Sequence, residues 1–270
     1  MRSDHEVNRA SWNHLAAVHG QDAYYDTEAL CGGASSLIEE EESALSDALG
    51  TDLSGKRILH LQCHLGFDAI TFARRGACVT GVDFSSVALE KGRVLAARCG
   101  VTIEWICADA VDLPESLHGS FDLVWATIGV LCWIGDVSAW MREVSSVLRP
   151  GGTLVLIDGL PAPAPAESMQ PDPLGLRRVI ERGWDYATPT RTGPQVQYRH
   201  SLSAVLCSVQ DAGLSVKRCD EHTSISTDLC INGLVRGDDG RYRAQDEPSQ
   251  PILFALIAER EVLTRPAESR

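Results

Sequence analysis

Residues 57–83 constrain this chain more than any other stretch. Arg57-Ile58-Leu59-His60-Leu61 reads as a short buried strand, Gln62 to Gly66 as a tight turn, and the residues from Phe67 onward as a helix. A second apolar run, Ala77-Cys78-Val79-Thr80-Gly81-Val82, ends on Asp83, seventeen residues past Gly66. A strand feeding a small-residue turn at a helix N-terminus, with an acid closing the next strand, can hold a ligand that bears a ribose. Backbone N–H groups of the turn meet polar groups of the ligand, and the carboxylate takes the two ribose hydroxyls.

The pattern continues in the same sense. A helix over 67–75 ends at Gly76, strand 77–83 follows, and a helix from Ser85 to Cys99 ends at Gly100. Strands then fall at Thr102 to Ala108, Phe121 to Ala126 and Thr153 to Asp158, with a helix from Asp136 to Leu148 stopped by Pro150-Gly151-Gly152. Apolar strands alternating with helices predict an α/β fold, a doubly wound parallel sheet covered on both faces. Upstream, residues 1–30 carry Val7, Leu15 and Val18 at loose helical spacing, and Ser35 or Ser36 can cap a helix from Leu37 to Leu49. The Glu39 to Glu42 run suits that helix's first turns and reads as a solvated face. Downstream, the prolines at 161, 163, 165, 171 and 173 stiffen an irregular flap or short hairpin. A helix from Ser201 to Ala212, a strand from Leu214 to Cys219 and a strong strand from Pro251 to Arg260 close the chain. The expected division is a helical lid over 1–50, a core over 51–160, the flap over 161–200, closing elements of the same domain over 201–262, and a tail over 263–270.

Composition narrows the partners. A formal charge of −13 disfavours nucleic acid, because that affinity comes from Lys and Arg neutralising phosphates. No run approaches the roughly 20 apolar residues of a membrane span, and the charged start, Met1-Arg2-Ser3-Asp4-His5-Glu6, lacks the apolar stretch of a secretory leader. Nine cysteines, an odd number without a C-x-x-C pair, read as small buried hydrophobes in a reducing compartment. The expectation is a cytoplasmic protein, monomer or homodimer. His60-Leu61-Gln62-Cys63-His64 invites a metal reading, but a strand alternates its faces and no second half of a ligand set stands elsewhere, so no metal is expected.

Five motifs stand in order: Ile58-Leu59-His60-Leu61-Gln62-Cys63-His64-Leu65-Gly66, Val79-Thr80-Gly81-Val82-Asp83-Phe84-Ser85, Cys107-Ala108-Asp109-Ala110, Phe121-Asp122-Leu123-Val124-Trp125 and Leu148-Arg149-Pro150-Gly151-Gly152-Thr153-Leu154. Together they resemble the class I S-adenosylmethionine-dependent methyltransferases, well over 57–160 and more weakly over the closing strands. The resemblance implies a Rossmann-like, mostly parallel seven-stranded sheet with an antiparallel last strand, and S-adenosylmethionine as cofactor. It also implies roles. Gln62, Cys63, His64 and Gly66 would lie under the methionine portion, Asp83 would chelate the ribose, and Phe84 would flank the adenine. Asp109 would accept from the adenine amino group, Ala110 would offer its N–H, and Thr127 would line the methyl-transfer region. Trp12, Tyr24 and Tyr25 resemble parts of a lid over the cofactor. The sequence departs from the family where His60 replaces an acid and where Gln62 and His64 replace glycines. Those two side chains can donate to the cofactor carboxylate or crowd it.

Methyl transfer from a sulfonium is an in-line displacement with a good neutral leaving group, so the protein chiefly positions the nucleophile and excludes water. A base is needed only where the acceptor's pKa demands one; His200, Tyr198 and Glu221 are the candidates, with His222 beside them. The flap and short lid suit a small-molecule acceptor of secondary metabolism, in a partly apolar pocket walled by Trp133, Trp184, Tyr186 and Tyr198. Two alternatives remain. An NAD(P)-dependent oxidoreductase would want G-x-G-x-x-G where this chain has Gln62-Cys63-His64-Leu65-Gly66. The same fold can also serve as a non-methylating cofactor-binding module or cyclase.

Overall fold

A computed structural model describes residues 2–20, 24–160, 170–172, 175–180, 184–185, 190–229 and 233–262. Three helices, α1 (Arg2–Val18), α2 (Thr27–Cys31) and α3 (Glu39–Leu49), precede the alternating core. That core runs β1 (Arg57–Leu61), α4 (Phe67–Arg74), β2 (Cys78–Asp83), α5 (Ser86–Arg98), β3 (Glu104–Cys107), β4 (Phe121–Thr127), α6 (Val137–Val147) and β5 (Leu148–Gly159). Short strands follow: β6 (Gln170–Asp172), β7 (Gly175–Ile180), β8 (Trp184–Asp185), β9 (Thr190–Arg191) and β10 (Gln195–Arg199). Then come α7 (Leu202–Asp211), β11 (Leu214–His222), the hairpin β12 (Leu234–Arg236) with β13 (Tyr242–Ala244), and β14 (Leu253–Arg260).

Seven strands form one sheet in the order β11-β14-β5-β4-β1-β2-β3. β1, β2, β3, β4 and β5 pair in parallel, and β14 runs antiparallel between β5 and β11. The α/β, mostly parallel sheet with an antiparallel last strand is therefore present as expected. β6, β7 and β10 form a separate three-stranded sheet and β8–β9 a two-stranded one, which gives the flap region more strand pairing than a single hairpin. The sequence places β5 at Thr153, but pairing begins at Leu148, opposite Phe121 of β4, and a register shift follows before Leu123 meets Thr153.

Two apolar layers flank the sheet. Leu59, Leu61, Val124, Leu154 and Leu156 face Trp140, Met141 and Val144 of α6 and Val205 and Val209 of α7. Ile58, Leu123, Trp125, Val155 and Ile157 point the other way, to Leu45 of α3, Ile70 and Phe72 of α4 and Leu95 of α5. This is the period-2 alternation of buried parallel strands. Each of these large side chains contributes roughly 2 kcal/mol by leaving water.

Two expectations are corrected here. Glu40 and Glu41 of the acidic run are each only 5% exposed. Glu40 accepts from the Ser226 amide and hydroxyl at 3.1 and 2.8 Å and pairs with Arg241, so helix periodicity turned half of this run inward against distant partners. The cysteines are also not uniformly buried: Cys63 is, whereas Cys78, Cys107 and Cys207 are exposed. Cys31 and Cys99 bring their sulfurs to 2.8 Å, joining α2 to the end of α5. Diamide, as two-electron oxidant, is expected to take both thiol hydrogens and leave a Cys31–Cys99 disulfide, read as a linked peptide pair by mass spectrometry. Burial and Cys31 push the Cys99 thiol up to about 11, so the reaction should be slow at neutral pH and faster above pH 9.

Candidate active site

The strand order fixes where a ligand can sit. From β1 the chain winds to β2 and β3 on one side and to β4 and β5 on the other, which opens a crevice at the carboxyl ends of β1 and β4. A cavity of about 390 Å³ lies there, walled by the turn after β1, the ends of β2 and β4, and residues from α1, α3 and α4. Trp12, Tyr24, Tyr25, Gln62, Cys63, His64, Gly66, Asp83, Phe84, Asp109, Ala110 and Thr127 all line it. So does Trp133, whose ring meets Trp12 edge-on with centroids 5.3 Å apart.

The turn keeps the backbone of a glycine motif without the glycines. Gln62 has φ +56° and His64 φ +49°, left-handed values that cost a side-chain-bearing residue on the order of 1 kcal/mol. Hydrogen bonds hold both. The Gln62 side-chain amide donates to the Val130 carbonyl at 3.1 Å and accepts from the Trp140 indole at 3.0 Å, so it ties the turn to the loop after β4. His64 donates its amide to Asp83 at 2.9 Å, and its Nε2 lies 2.8 Å from His19 Nδ1. Gly66 is favoured on two grounds. Its φ is +73°, and a Cβ there would lie 2.3 Å from the Trp105 ring, which nests among Gly66, Gly81 and Gly92.

Asp83 is 7% exposed and accepts from the His64 and Ser85 amides at 2.9 and 2.8 Å. Burial outweighs those bonds and pushes its carboxyl up to about 6. Asp109 is held differently: burial opposes ionisation, but the hydrogen bond and charge of His5 prevail and lower it. His5 Nδ1 lies 2.5 Å from Asp109 Oδ2.

That contact belongs to the docking of α1. Asn8 exchanges two 2.8 Å hydrogen bonds with the Val196 backbone, like the partner residue of an edge strand. Ser85 donates to Asn13 at 2.7 Å while capping α5, and Lys91 caps the end of α1 at the Ala17 and His19 carbonyls, 2.7 and 2.9 Å away. The buried face of α1 includes Asn8 and Ser11 beside Leu15, so the apolar spacing expected from Val7, Leu15 and Val18 is only part of what fixes it.

The base candidates stand elsewhere. His200 is buried with Nε2 2.6 Å from the Ile134 carbonyl, and Tyr198 donates to Asp4 at 2.6 Å. Both line a separate cavity of about 110 Å³. Glu221 is exposed on β11 opposite Phe254, and neither it nor His222 lines the large cavity. Tyr186 and the side chain of Trp184 lie outside the described residues.

Sequence reading missed three acids. Asp158 at the end of β5 accepts from the Gly129 and Leu131 amides, each at 2.7 Å, and so shapes the loop after β4. Asp68 in α4 accepts from the Trp125 indole at 3.0 Å, the Thr127 hydroxyl at 3.2 Å and the Ser36 hydroxyl at 2.7 Å. Glu41 accepts from the Ile38 amide at 2.9 Å. An acid at the third position of a helix bonding back to the residue before it is a sequence-readable device, but Ile38 in place of Ser or Thr hid it. No cluster of three His, Cys, Asp or Glu suited to a metal ion stands among the described residues. No described helix is long and apolar enough to cross a membrane.

Residues 58–152 match the methyltransferase domain family. The 27-O-demethylrifamycin SV methyltransferase of Amycolatopsis mediterranei is 34% identical over 162 residues, 58% of this chain and 56% of that one. The ubiquinone biosynthesis O-methyltransferase of Chromobacterium violaceum is 32% identical over 100 residues, 37% of this chain and 43% of that one. The chain thus spans about half the length of these curated relatives. Among solved structures, an S-adenosylmethionine-dependent methyltransferase from Mesorhizobium loti superposes with TM-score 0.55 at 24% identity, covering 85% of this chain and all of that one.

Proposed function

We propose that this chain is a class I S-adenosylmethionine-dependent methyltransferase and that it transfers a methyl group from S-adenosylmethionine to a small-molecule acceptor of secondary metabolism. The observation that carries this reading is Asp83. A carboxylate buried without a cation, at the end of β2 and beside the left-handed turn of β1, is matched by two ribose hydroxyls, which supply donors without adding charge. The cavity, about 390 Å³, continues from it to residues at the ends of β1 and β4, a volume within the range of small-molecule sites.

The residues present fit that cofactor. Asp83 would take the ribose, Phe84 and Ala110 the adenine, and the Gln62 to Gly66 turn with Thr127 the far portion. Asp109 would hold the lid through His5. Bound there, S-adenosylmethionine supplies an electrophilic methyl on a sulfonium with a neutral leaving group. The chain's own work is then positional. Trp12 and Trp133 pack edge-on above the turn, excluding water and leaving an aromatic wall for an acceptor. Asp158 and Gln62 hold the loop carrying Trp133 in place. His200 and Tyr198 brace that loop and α1, roles consistent with an acceptor that needs no strong base.

The net charge of −13 supports an acceptor other than nucleic acid. Calorimetry with S-adenosylmethionine, S-adenosylhomocysteine and NAD tests the reading: the first two should bind and NAD should not. Binding of NAD alone would replace it with an oxidoreductase. Binding without any +CH₂ product in a mass-spectrometric screen of extracts would leave the cyclase or binding module.

Affinity should also depend on pH. Asp83 in the free protein titrates at about 6, above its unfolded value, so protonation stabilises the fold at low pH and that contribution is lost as pH rises through about 6. Ribose hydroxyls favour the ionised carboxylate, so binding runs the other way. S-adenosylhomocysteine affinity should rise about tenfold from pH 5 to pH 7 by titration calorimetry. A profile identical in Asp83→Asn would assign the dependence elsewhere.

A further inference from the structure

With the ribose over β2, the far end of the cavity lies over β1 and β4, and that end is acidic. Asp68, Glu41, His60, Ser36 and Thr127 meet there. Every hydrogen bond to the Asp68 carboxylate comes from a neutral donor: the Trp125 indole and the Thr127 and Ser36 hydroxyls. Glu41, 5% exposed, is pushed well above the usual carboxyl range, first by burial and then by the charge of Asp68. His60, the penultimate residue of β1, lines the same end. It is also 5% exposed, its Nδ1 is buried without a hydrogen-bond partner, and its Nε2 lies 3.9 Å from Asp68, beyond hydrogen-bond reach. Burial lowers the His60 pKa more than Asp68 raises it, so the ring is neutral and supplies no counter-charge. Among the described residues that line the cavity there is no Lys or Arg.

A buried carboxyl group and a half-buried one, both held by neutral donors next to an imidazole with an orphaned nitrogen, lack one thing: a cation that carries its own hydrogen-bond donors. We propose that this end of the cavity is a subsite for an alkylammonium group, seated between the carboxyl groups of Asp68 and Glu41 against His60. The ammonium can come from the amino-acid end of S-adenosylmethionine, in which case the inference rests on the methyltransferase reading, or from an amine on the acceptor.

Asp68→Asn and Glu41→Gln separate the sources by calorimetry, with thermal melts to verify folding and Glu41→Gln carrying the test if Asp68→Asn fails to fold. The probes are S-adenosylhomocysteine, 5′-methylthioadenosine, which lacks the amino-acid end, and n-butylammonium titrated into protein loaded with S-adenosylhomocysteine. With the cofactor as source, the variants should lose S-adenosylhomocysteine affinity by about tenfold or more and keep methylthioadenosine within about twofold. With the acceptor as source, both nucleosides should bind unchanged while n-butylammonium binding, present in the wild type, falls by the same factor. Variants that match the wild type with all three probes would overturn the subsite. Wild-type protein that binds neither nucleoside would sink the functional reading instead, and n-butylammonium titrated into the bare protein would then decide the subsite alone.

Discussion

Asp83→Ala should weaken S-adenosylhomocysteine binding by about thirtyfold or more, about 2 kcal/mol, because charge-assisted hydrogen bonds to both ribose hydroxyls vanish together. The substitution also strips an acceptor from the His64 and Ser85 amides. Its effect on the turn must therefore be separated from its effect on the ligand. Asp83→Asn does this, since one oxygen still accepts from the backbone while the charge is gone. A melting temperature close to wild type with affinity lost in both variants assigns the loss to the ribose. Unchanged affinity in either folded variant would remove Asp83 from the site.

The largest effect on stability is expected at Gly66. An alanine there meets two costs: a left-handed backbone at φ +73° and a Cβ 2.3 Å from Trp105. The first is worth about 1 kcal/mol and the second, an overpacked contact against a ring wedged between strand and helix, about 2 kcal/mol. Denaturant unfolding should show about 3 kcal/mol lost in Gly66→Ala. Gly119 makes the control, because its φ is +61° with nothing within 4 Å of a built Cβ, so Gly119→Ala should show the backbone cost alone. Shrinking the ring in Gly66→Ala/Trp105→Leu should restore part of the loss relative to Trp105→Leu alone. Equal losses at Gly66 and Gly119 would show that Trp105 yields freely.

The architecture was legible because its cause is local and repetitive. A strand buried on both faces must be apolar at nearly every position, and a helix covering it must repeat its apolar residues every three or four. β1 through β5 and their helices follow from that, and the acid closing the second apolar run marks the polar end of β2. Gln62 shows the limit. The sequence marks it as a departure from glycine, but whether its amide faced a ligand or the protein depended on Trp140, 78 residues away.

The polar part of the site was decided in three dimensions only. Asp109 is engaged by His5 across 104 residues, and Asn8 pairs with Val196 across 188. Glu41 reads as one of four solvated acids in a row, yet it faces the cavity opposite Asp68. Burial of an apolar side chain is rewarded by any apolar neighbour, so its pattern survives in the linear sequence. Burial of a carboxylate is tolerated only where specific donors arrive from elsewhere in the chain. The alternating strands and helices of the sheet and the acid at the end of β2 were therefore written in the sequence. The docking of α1, the acidic end of the cavity and the placement of His200 outside it exist only in the folded chain, where those distant donors and acceptors meet.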